Sequence, residues 1–152
     1  MKDDSERVDA MDRNLRVLFW GTCGSLPSPI GERAVRAKIV AALQAAKEQE
    51  LTTAEDFSAF VESLPLHVRG TYGGNTPCVQ LDDGEHFILC DAGSGLRNFG
   101  THLMQTRADA LPTDFHIFMS HPHWDHVQGF PFFPPAYIPG NRVTIYGGND
   151  TL

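Results

Sequence analysis

A dense group of metal-ligand side chains directly behind a strand-length apolar run is the feature that most restricts the fold. Residues 114–119 form the apolar run, and residues 120–126 read Ser-His-Pro-His-Trp-Asp-His. Neutral imidazole and carboxylate are the usual nitrogen and oxygen ligands of zinc and related divalent metals. Because so many of these groups side by side are costly to build without a cation among them, the pattern predicts a metal site where the strand ends.

The spacing inside this motif predicts how the ligands divide. His121 and His123 are separated by one residue, so extended backbone would project both to the same side, where they can bind one ion together. Asp125 and His126 follow where the chain should turn, so they could face a second ion beside the first. The motif therefore predicts a two-metal site.

The pattern His-x-His-x-Asp-His after an apolar strand resembles the signature of the metallo-β-lactamase fold superfamily of metallohydrolases. The resemblance implies that His121 and His123 bind metal one and that Asp125 and His126 bind metal two. It also gives Asp125 the catalytic role of orienting the attacking hydroxide. A histidine at position 126 is similar to the phosphodiesterase and ribonuclease Z branch of the superfamily.

Two other loops support the same branch, and a third resembles the superfamily as a whole. Residues 21–27 and 73–78 resemble its Gly-Thr-x-Gly-Ser-x-Pro and Gly-Gly-Asn-Thr-x-Cys loops, although Cys23 stands where a basic residue is expected. The resemblance makes Asn75 a residue that fastens these loops through its amide. Asp91 follows a predicted strand in an Asp-x-Gly sequence similar to the superfamily's first motif. It is expected to orient a ligand imidazole; the alternative is an ordinary turn or helix-capping aspartate.

The remaining pattern predicts alternating strands and helices. Helix-forming residues with apolar positions at helical spacing predict a helical hairpin over residues 31–66, inserted between two of the loops. Its second helix should start at a capping box formed by Thr52 and Glu55 and stop before Pro65. The hairpin either packs on the sheet or forms a lid over the substrate. The other predicted elements are strands at 15–20, 79–81, 86–90, 114–119 and 142–146, and a helix at 96–108.

Composition excludes several classes of protein. Twelve Lys and Arg against nineteen Asp and Glu give the 152-residue chain a net charge of −7, so no basic surface for nucleic acid is indicated. No run reaches the roughly 18 to 20 apolar residues of a membrane span. The three cysteines are odd in number and lack a Cys-x-x-Cys pair, which favours a reducing cytoplasm over a disulfide framework. Residues 1–14 are polar and are predicted to be a disordered tail.

The expected fold class is α/β. The resemblance covers residues 15–152 as a partial domain, the N-terminal half of a four-layer αββα metallo-β-lactamase sandwich. It implies that the second half supplies a third histidine for metal one, an aspartate bridging the metals and a further histidine for metal two. No histidine follows His126, and Asp150 stands at the end of the sequence. The chain is therefore expected to be inactive alone and to expose a sheet face that is normally buried.

The predicted function is hydrolysis of small or cyclic phosphodiesters by a metal-activated hydroxide. The resemblance implies two divalent metals; zinc is expected, and the same ligands would accept manganese or iron. The expected partners are the small-molecule substrate and either a complementary C-terminal half or a second copy of the chain. Two alternatives stay open. One is a truncated, non-catalytic half-site module that needs a complementary chain, and the other is a thioesterase-like or lactonase-like hydrolase of the same superfamily.

Overall fold

A computed structural model describes residues 15–108 and 111–148. The predicted disordered tail at 1–14 lies outside these residues. The chain divides into two compact units, of which one is Ser28–Gly74 and the other comprises the described residues on either side of it. The predicted helical hairpin at 31–66 falls inside the first of these, which we call the helical unit; the second is the sheet unit.

The sheet unit is built on one mixed sheet whose strands lie in the order in which they occur in the sequence. The first strand pairs antiparallel with the second, and the second pairs antiparallel with the third. The third and fourth strands are parallel, as are the fourth and fifth. All five predicted strands are confirmed, with bounds that differ by at most one residue at either end. They are β1 (Arg16–Gly21), β2 (Cys78–Asp82), β3 (Phe87–Cys90), β4 (Asp114–Phe118) and β5 (Arg142–Tyr146).

A tight turn and a crossover helix explain this topology. The predicted Asp-Gly hairpin joins β2 to β3, and Gly84 in its turn has a φ of +83°, a conformation that favours glycine. The connection from β3 to the parallel β4 contains helix α4 (Gly95–Thr106), which confirms the helix predicted at 96–108. A crossover helix is the usual solution for two adjacent parallel strands.

One face of the sheet forms the hydrophobic core. The apolar stripe of α4 buries Leu96, Phe99 and Leu103 completely or nearly so. These side chains belong to one cluster with the inward side chains of the central strands, Phe87, Leu89, Phe115 and Ile117. Phe133 completes the cluster from the proline-rich segment, with its ring centroid 5.9 Å from that of Phe99 and 5.1 Å from that of Phe115.

The opposite face of the sheet is apolar but open. The register places Phe19, Val79, Cys90, Phe118 and Tyr146 in one row across all five strands on this face. Three of the five side chains in this row are exposed, since Phe19 is 69%, Phe118 46% and Tyr146 40% accessible. Monomeric proteins rarely expose a contiguous apolar surface of this kind. We call this surface the open sheet face.

The helical unit contains α1 (Glu32–Ala46), α2 (Ala54–Ser63) and the short helix α3 (Leu66–Arg69). The predicted pair of helices is confirmed, but the predicted cap is wrong by one residue. Thr53 caps α2, and its box partner is Asp56, whose carboxylate accepts from the N–H of Thr53 at 2.9 Å. Helix α3 has no predicted counterpart. Over residues 15–108 and 111–148, no helix combines the length and apolar character needed to cross a membrane.

Candidate metal centre

The carboxyl ends of β3 and β4 position the centre. These strands are parallel, and their last residues, Cys90 and Phe118, are register partners. Asp91 follows one strand directly, and the motif that starts at Ser120 follows the other. Loops that leave the carboxyl ends of adjacent parallel strands meet at one edge of a sheet, where α/β proteins commonly bind ligands. The sheet therefore brings two motifs that are distant in sequence to the same place.

The three motif imidazoles lie against one another. The ring centroid of His121 is 4.0 Å from that of His126 and 4.4 Å from that of His123. The chain stays extended through His123, whose ψ is 154°, and then turns into the short helix α5 (Trp124–Val127). His121 and His123 are exposed, whereas the side chain of His126 is only 12% accessible. The extended and turning parts of the motif therefore lie where the spacing predicts them.

Asp91 fixes the orientation of His126. One carboxylate oxygen lies 2.9 Å from Nδ1 of His126, and the other accepts from the backbone N–H of Ser120 at 2.8 Å. The Ser120 hydroxyl lies 2.9 Å from both oxygens. An ionised carboxylate can only accept, so Nδ1 carries the proton and Nε2 keeps its lone pair. Nε2 is the nitrogen that this arrangement leaves for a metal.

The free nitrogen of His126 faces Asp125. Its Nε2 lies 3.4 Å from Oδ2 of Asp125. Two ligand atoms that each lie 2.0–2.1 Å from a tetrahedral zinc ion are about 3.3 Å apart. The observed separation is therefore suitable for two ligands of one ion, as the motif predicts for metal two.

A backbone contact keeps Asp125 ionised. The N–H of Ser25 donates to Oδ2 of Asp125 at 2.9 Å, and this hydrogen bond lowers the pKa of the carboxyl below its ordinary value. Positive charge on the imidazoles of His126 and His121 would lower this pKa further. Asp125 is thus available as an anionic ligand and hydrogen-bond acceptor at neutral pH.

Backbone strain is concentrated at the same place. Within the described ranges, only Ser25 and Asp91 are non-glycine residues with positive φ, at 60° and 63°. Each such conformation costs on the order of 1 to 3 kcal/mol and persists only where the surroundings hold it in place. Ser25 and Asp91 donate to or accept from the ligand side chains described above. The strain therefore supports a functional interpretation of these two loops.

Asn75 holds the surrounding loops together. Its backbone carbonyl accepts from the N–H groups of Thr22 and Cys23 at 2.9 and 2.8 Å. Its side-chain oxygen accepts from the Ser94 hydroxyl at 3.2 Å, and its amide nitrogen donates to the Trp20 carbonyl at 3.4 Å. The contacts are structural, and they join the loops after β1 and β3.

Two glycines allow the metal-motif loop to cross the loop after β3. A Cβ on Gly93 would lie 2.4 Å from the carbonyl oxygen of Asp125, and one on Gly129 would lie 1.9 Å from the carbonyl oxygen of Gly93. The crossing is closed by two hydrogen bonds, from the N–H of Ala92 to His126 and from the N–H of Gly129 to Ala92. The relative position of Asp91 and His126 depends on this close approach.

Three of the four histidines outside the motif have other side-chain contacts. His86 pairs with Asp83, His116 with the Tyr146 hydroxyl, and His102 lies against the Trp20 ring. Cys78 is buried, which raises the pKa of its thiol to about 12 and makes it a poor metal ligand. In the part of the chain that is described, no group of three or more His, Cys, Asp or Glu side chains is arranged around one ion. Over these residues, the candidate ligands of the motif are therefore arranged as pairs.

Sequence reasoning assigned no role to several polar residues of the centre. Ser25 contacts the candidate ligand Asp125, and Ser120 contacts Asp91, which orients His126. Thr76, Ser94 and Gln128 form a hydrogen-bonded group beside them. Ser25, Thr76 and Ser94 lie within the Gly-rich loops that the resemblance singled out, so their position was a usable signal. Gln128 carries no such signal, because its contact with Thr76 spans 52 positions in sequence.

Comparisons with known proteins found no relative of the chain. No protein-family model matches the chain, and neither the curated proteins nor the solved structures contain a match to it.

Proposed function

We propose that this chain is part of a metal-dependent hydrolase of the metallo-β-lactamase superfamily that acts on small phosphodiesters. The observation that carries the proposal is the arrangement of His126 between two carboxylates. Asp91 accepts from Nδ1 at 2.9 Å, and Asp125 lies 3.4 Å from Nε2. A carboxylate that orients a ligand imidazole while a second ligand faces its free nitrogen is the arrangement found around catalytic zinc.

The donor set fits a divalent metal. His121 and His123 would hold one ion, and Asp125 and His126 a second. When bound, two such metals lower the pKa of a coordinated water and stabilise charge on a phosphoryl oxygen. Zinc suits these nitrogen and oxygen ligands, and manganese or iron would also be accepted. The ionised Asp125 carboxylate would orient the attacking water by accepting a hydrogen bond.

The open sheet face supports a second candidate role, a half-site module completed by another chain. The helices of the sheet unit that contribute to the core, in the ranges described, lie on one side of the sheet, and the other side is apolar and accessible. A second sheet packed there would give the four-layer αββα arrangement that the sequence predicts. The same partner would supply the further ligands, because a catalytic zinc site uses three protein ligands.

Hydrolysis of bis(4-nitrophenyl) phosphate tests the proposal. With added Zn²⁺ or Mn²⁺ we expect metal binding that His123→Ala weakens, since this change leaves metal one with a single ligand from the motif. Turnover that depends on both the metal and His123 would show that the further ligands are supplied as well. His67→Ala is the matched control, because His67 is an exposed histidine of the helical unit. Metal binding that requires His123 but gives no turnover would favour the half-site module. Neither binding nor turnover would contradict both roles.

A further inference from the structure

A cleft of about 490 Å³ lies within the sheet unit beside the metal motif. Its wall includes Gln128, which is two residues beyond His126, and Phe132 from the proline-rich segment. Asn75 and Ser94 line it from the loops that also support the metal centre, and Arg97 lines it from the first turn of α4. The cleft is large enough for a small organic ligand.

Asn75, Ser94 and Gln128 form the polar part of the cleft wall, which we call its floor. Hydrogen bonds among these residues and Thr76 hold the floor in place. Gln128 donates to the Thr76 hydroxyl at 3.1 Å, and this hydroxyl accepts from the N–H of Ser94 at 2.7 Å. The Ser94 hydroxyl in turn accepts from the N–H of Thr76 at 2.9 Å and donates to Asn75. These polar groups satisfy one another, so the floor is a preformed surface.

Arg97 is the charged side chain among the residues that line this cleft. It extends from the first turn of α4 and is exposed, and its guanidinium makes no hydrogen bond or ion pair with another residue of the described ranges. A guanidinium binds phosphate or carboxylate through two parallel hydrogen bonds. In a protein with a net charge of −7, a cation that lines a cleft and has no partner among the described residues is suited to binding an anion.

Phe132 supplies the apolar part of the same cleft. Its ring is 64% exposed, whereas the neighbouring Phe133 is fully buried in the core. An aromatic ring left accessible beside a cation provides a surface on which a flat ring can stack. Arg97 and Phe132 together therefore select a ligand that is both anionic and aromatic.

We propose that this cleft binds an aromatic ring that carries a phosphate or carboxylate group, with the anion on Arg97 and the ring on Phe132. As part of an enzyme, the cleft would hold the non-reacting portion of an aryl or heterocyclic phosphodiester. That extension rests on the proposed function, whereas binding of the anionic ring does not. The test is therefore a binding measurement in the presence of a chelator, so that metal cannot hold the anion.

Calorimetric titration of the full chain with phenyl phosphate, benzoate, inorganic phosphate and benzyl alcohol makes this test. We expect phenyl phosphate to bind, and Arg97→Gln to weaken it at least about 10-fold, as loss of a charge-assisted contact does. Arg97→Lys should retain part of the affinity. Phe132→Ala should weaken phenyl phosphate but leave inorganic phosphate unchanged. A preference between phenyl phosphate and benzoate identifies which anion the cleft takes.

The control is Arg33→Gln, which removes an exposed arginine from α1 and should leave all four titrations unchanged. Equal binding of phenyl phosphate by the wild-type chain and Arg97→Gln would overturn the proposal, as would binding of benzyl alcohol as tight as that of phenyl phosphate. Metal-dependent turnover with no chelator-resistant binding would overturn the cleft alone. Binding without turnover would leave the cleft in place and favour the half-site module over a chain that is active by itself.

Discussion

Replacing Asp91 with asparagine is expected to weaken zinc binding by about 10- to 100-fold, the usual effect of losing a carboxylate that orients a ligand histidine. The change keeps the shape of the side chain and one oxygen for the N–H of Ser120, which lies 2.8 Å from Asp91. The new amide group, however, would donate to Nδ1 of His126. The ring would then carry its proton on Nε2, the nitrogen that faces Asp125 at 3.4 Å.

A chromophoric chelator that competes for zinc measures this change directly. Asp83→Asn is the matched control, because Asp83 contacts Nδ1 of His86 at 2.8 Å in a pair far from the motif. Circular dichroism of each variant separates loss of the metal site from loss of the fold. Wild-type affinity in Asp91→Asn with the fold intact would show that Asp91 does not orient a ligand.

A methyl group at Gly129 is expected to destabilise the sheet unit by about 3 kcal/mol or more, at the upper end of the usual cost of overpacking. The Cβ would lie 1.9 Å from the carbonyl oxygen of Gly93 and 3.0 Å from that of Ala92. Both obstacles are backbone atoms, so no side chain can rotate away. The loops would have to separate, and the hydrogen bond from Gly129 to Ala92 at 2.9 Å would be lost.

Urea unfolding followed by circular dichroism measures the effect of Gly129→Ala. Gly24→Ala is the control in a neighbouring loop, since a Cβ at Gly24 would meet no atom within 4 Å. We expect the control to change the free energy of unfolding by no more than about 1 kcal/mol, as compatible Gly→Ala changes do. Equal midpoints for the two variants would show that the loop crossing tolerates a side chain.

The secondary structure follows from local sequence because its causes are local. Strand-length apolar runs and the Asp-Gly turn predict the five strands, and helical spacing predicts α1, α2 and α4. The cap of α2 was misplaced by one residue because Thr52 and Thr53 both satisfy the pattern. The position of the N-cap depends on which carboxylate, that of Glu55 or that of Asp56, accepts a hydrogen bond from the backbone N–H of the capping threonine.

The arrangement of the centre depends on contacts that no local pattern contains. The motif predicts which residues are ligands, but the contact between Ser25 and Asp125 spans 100 positions. It arises because the loop after β1 and the loop after β4 are brought to one edge of the sheet. Similarly, β1 is apolar at Val17, Leu18 and Phe19, so its pattern does not determine which face is buried. That choice is made by α4, which packs on one side only.

Cobalt titration of the purified chain tests directly whether the motif binds a divalent metal. Co²⁺ accepts the same nitrogen and oxygen ligands as zinc and absorbs visible light according to its coordination. We expect a saturable absorption band distinct from that of aqueous Co²⁺. The band should be lost in His121→Ala and retained in His67→Ala. A wild-type spectrum that stays that of the aqueous ion, or a band that is retained in His121→Ala, would contradict this expectation.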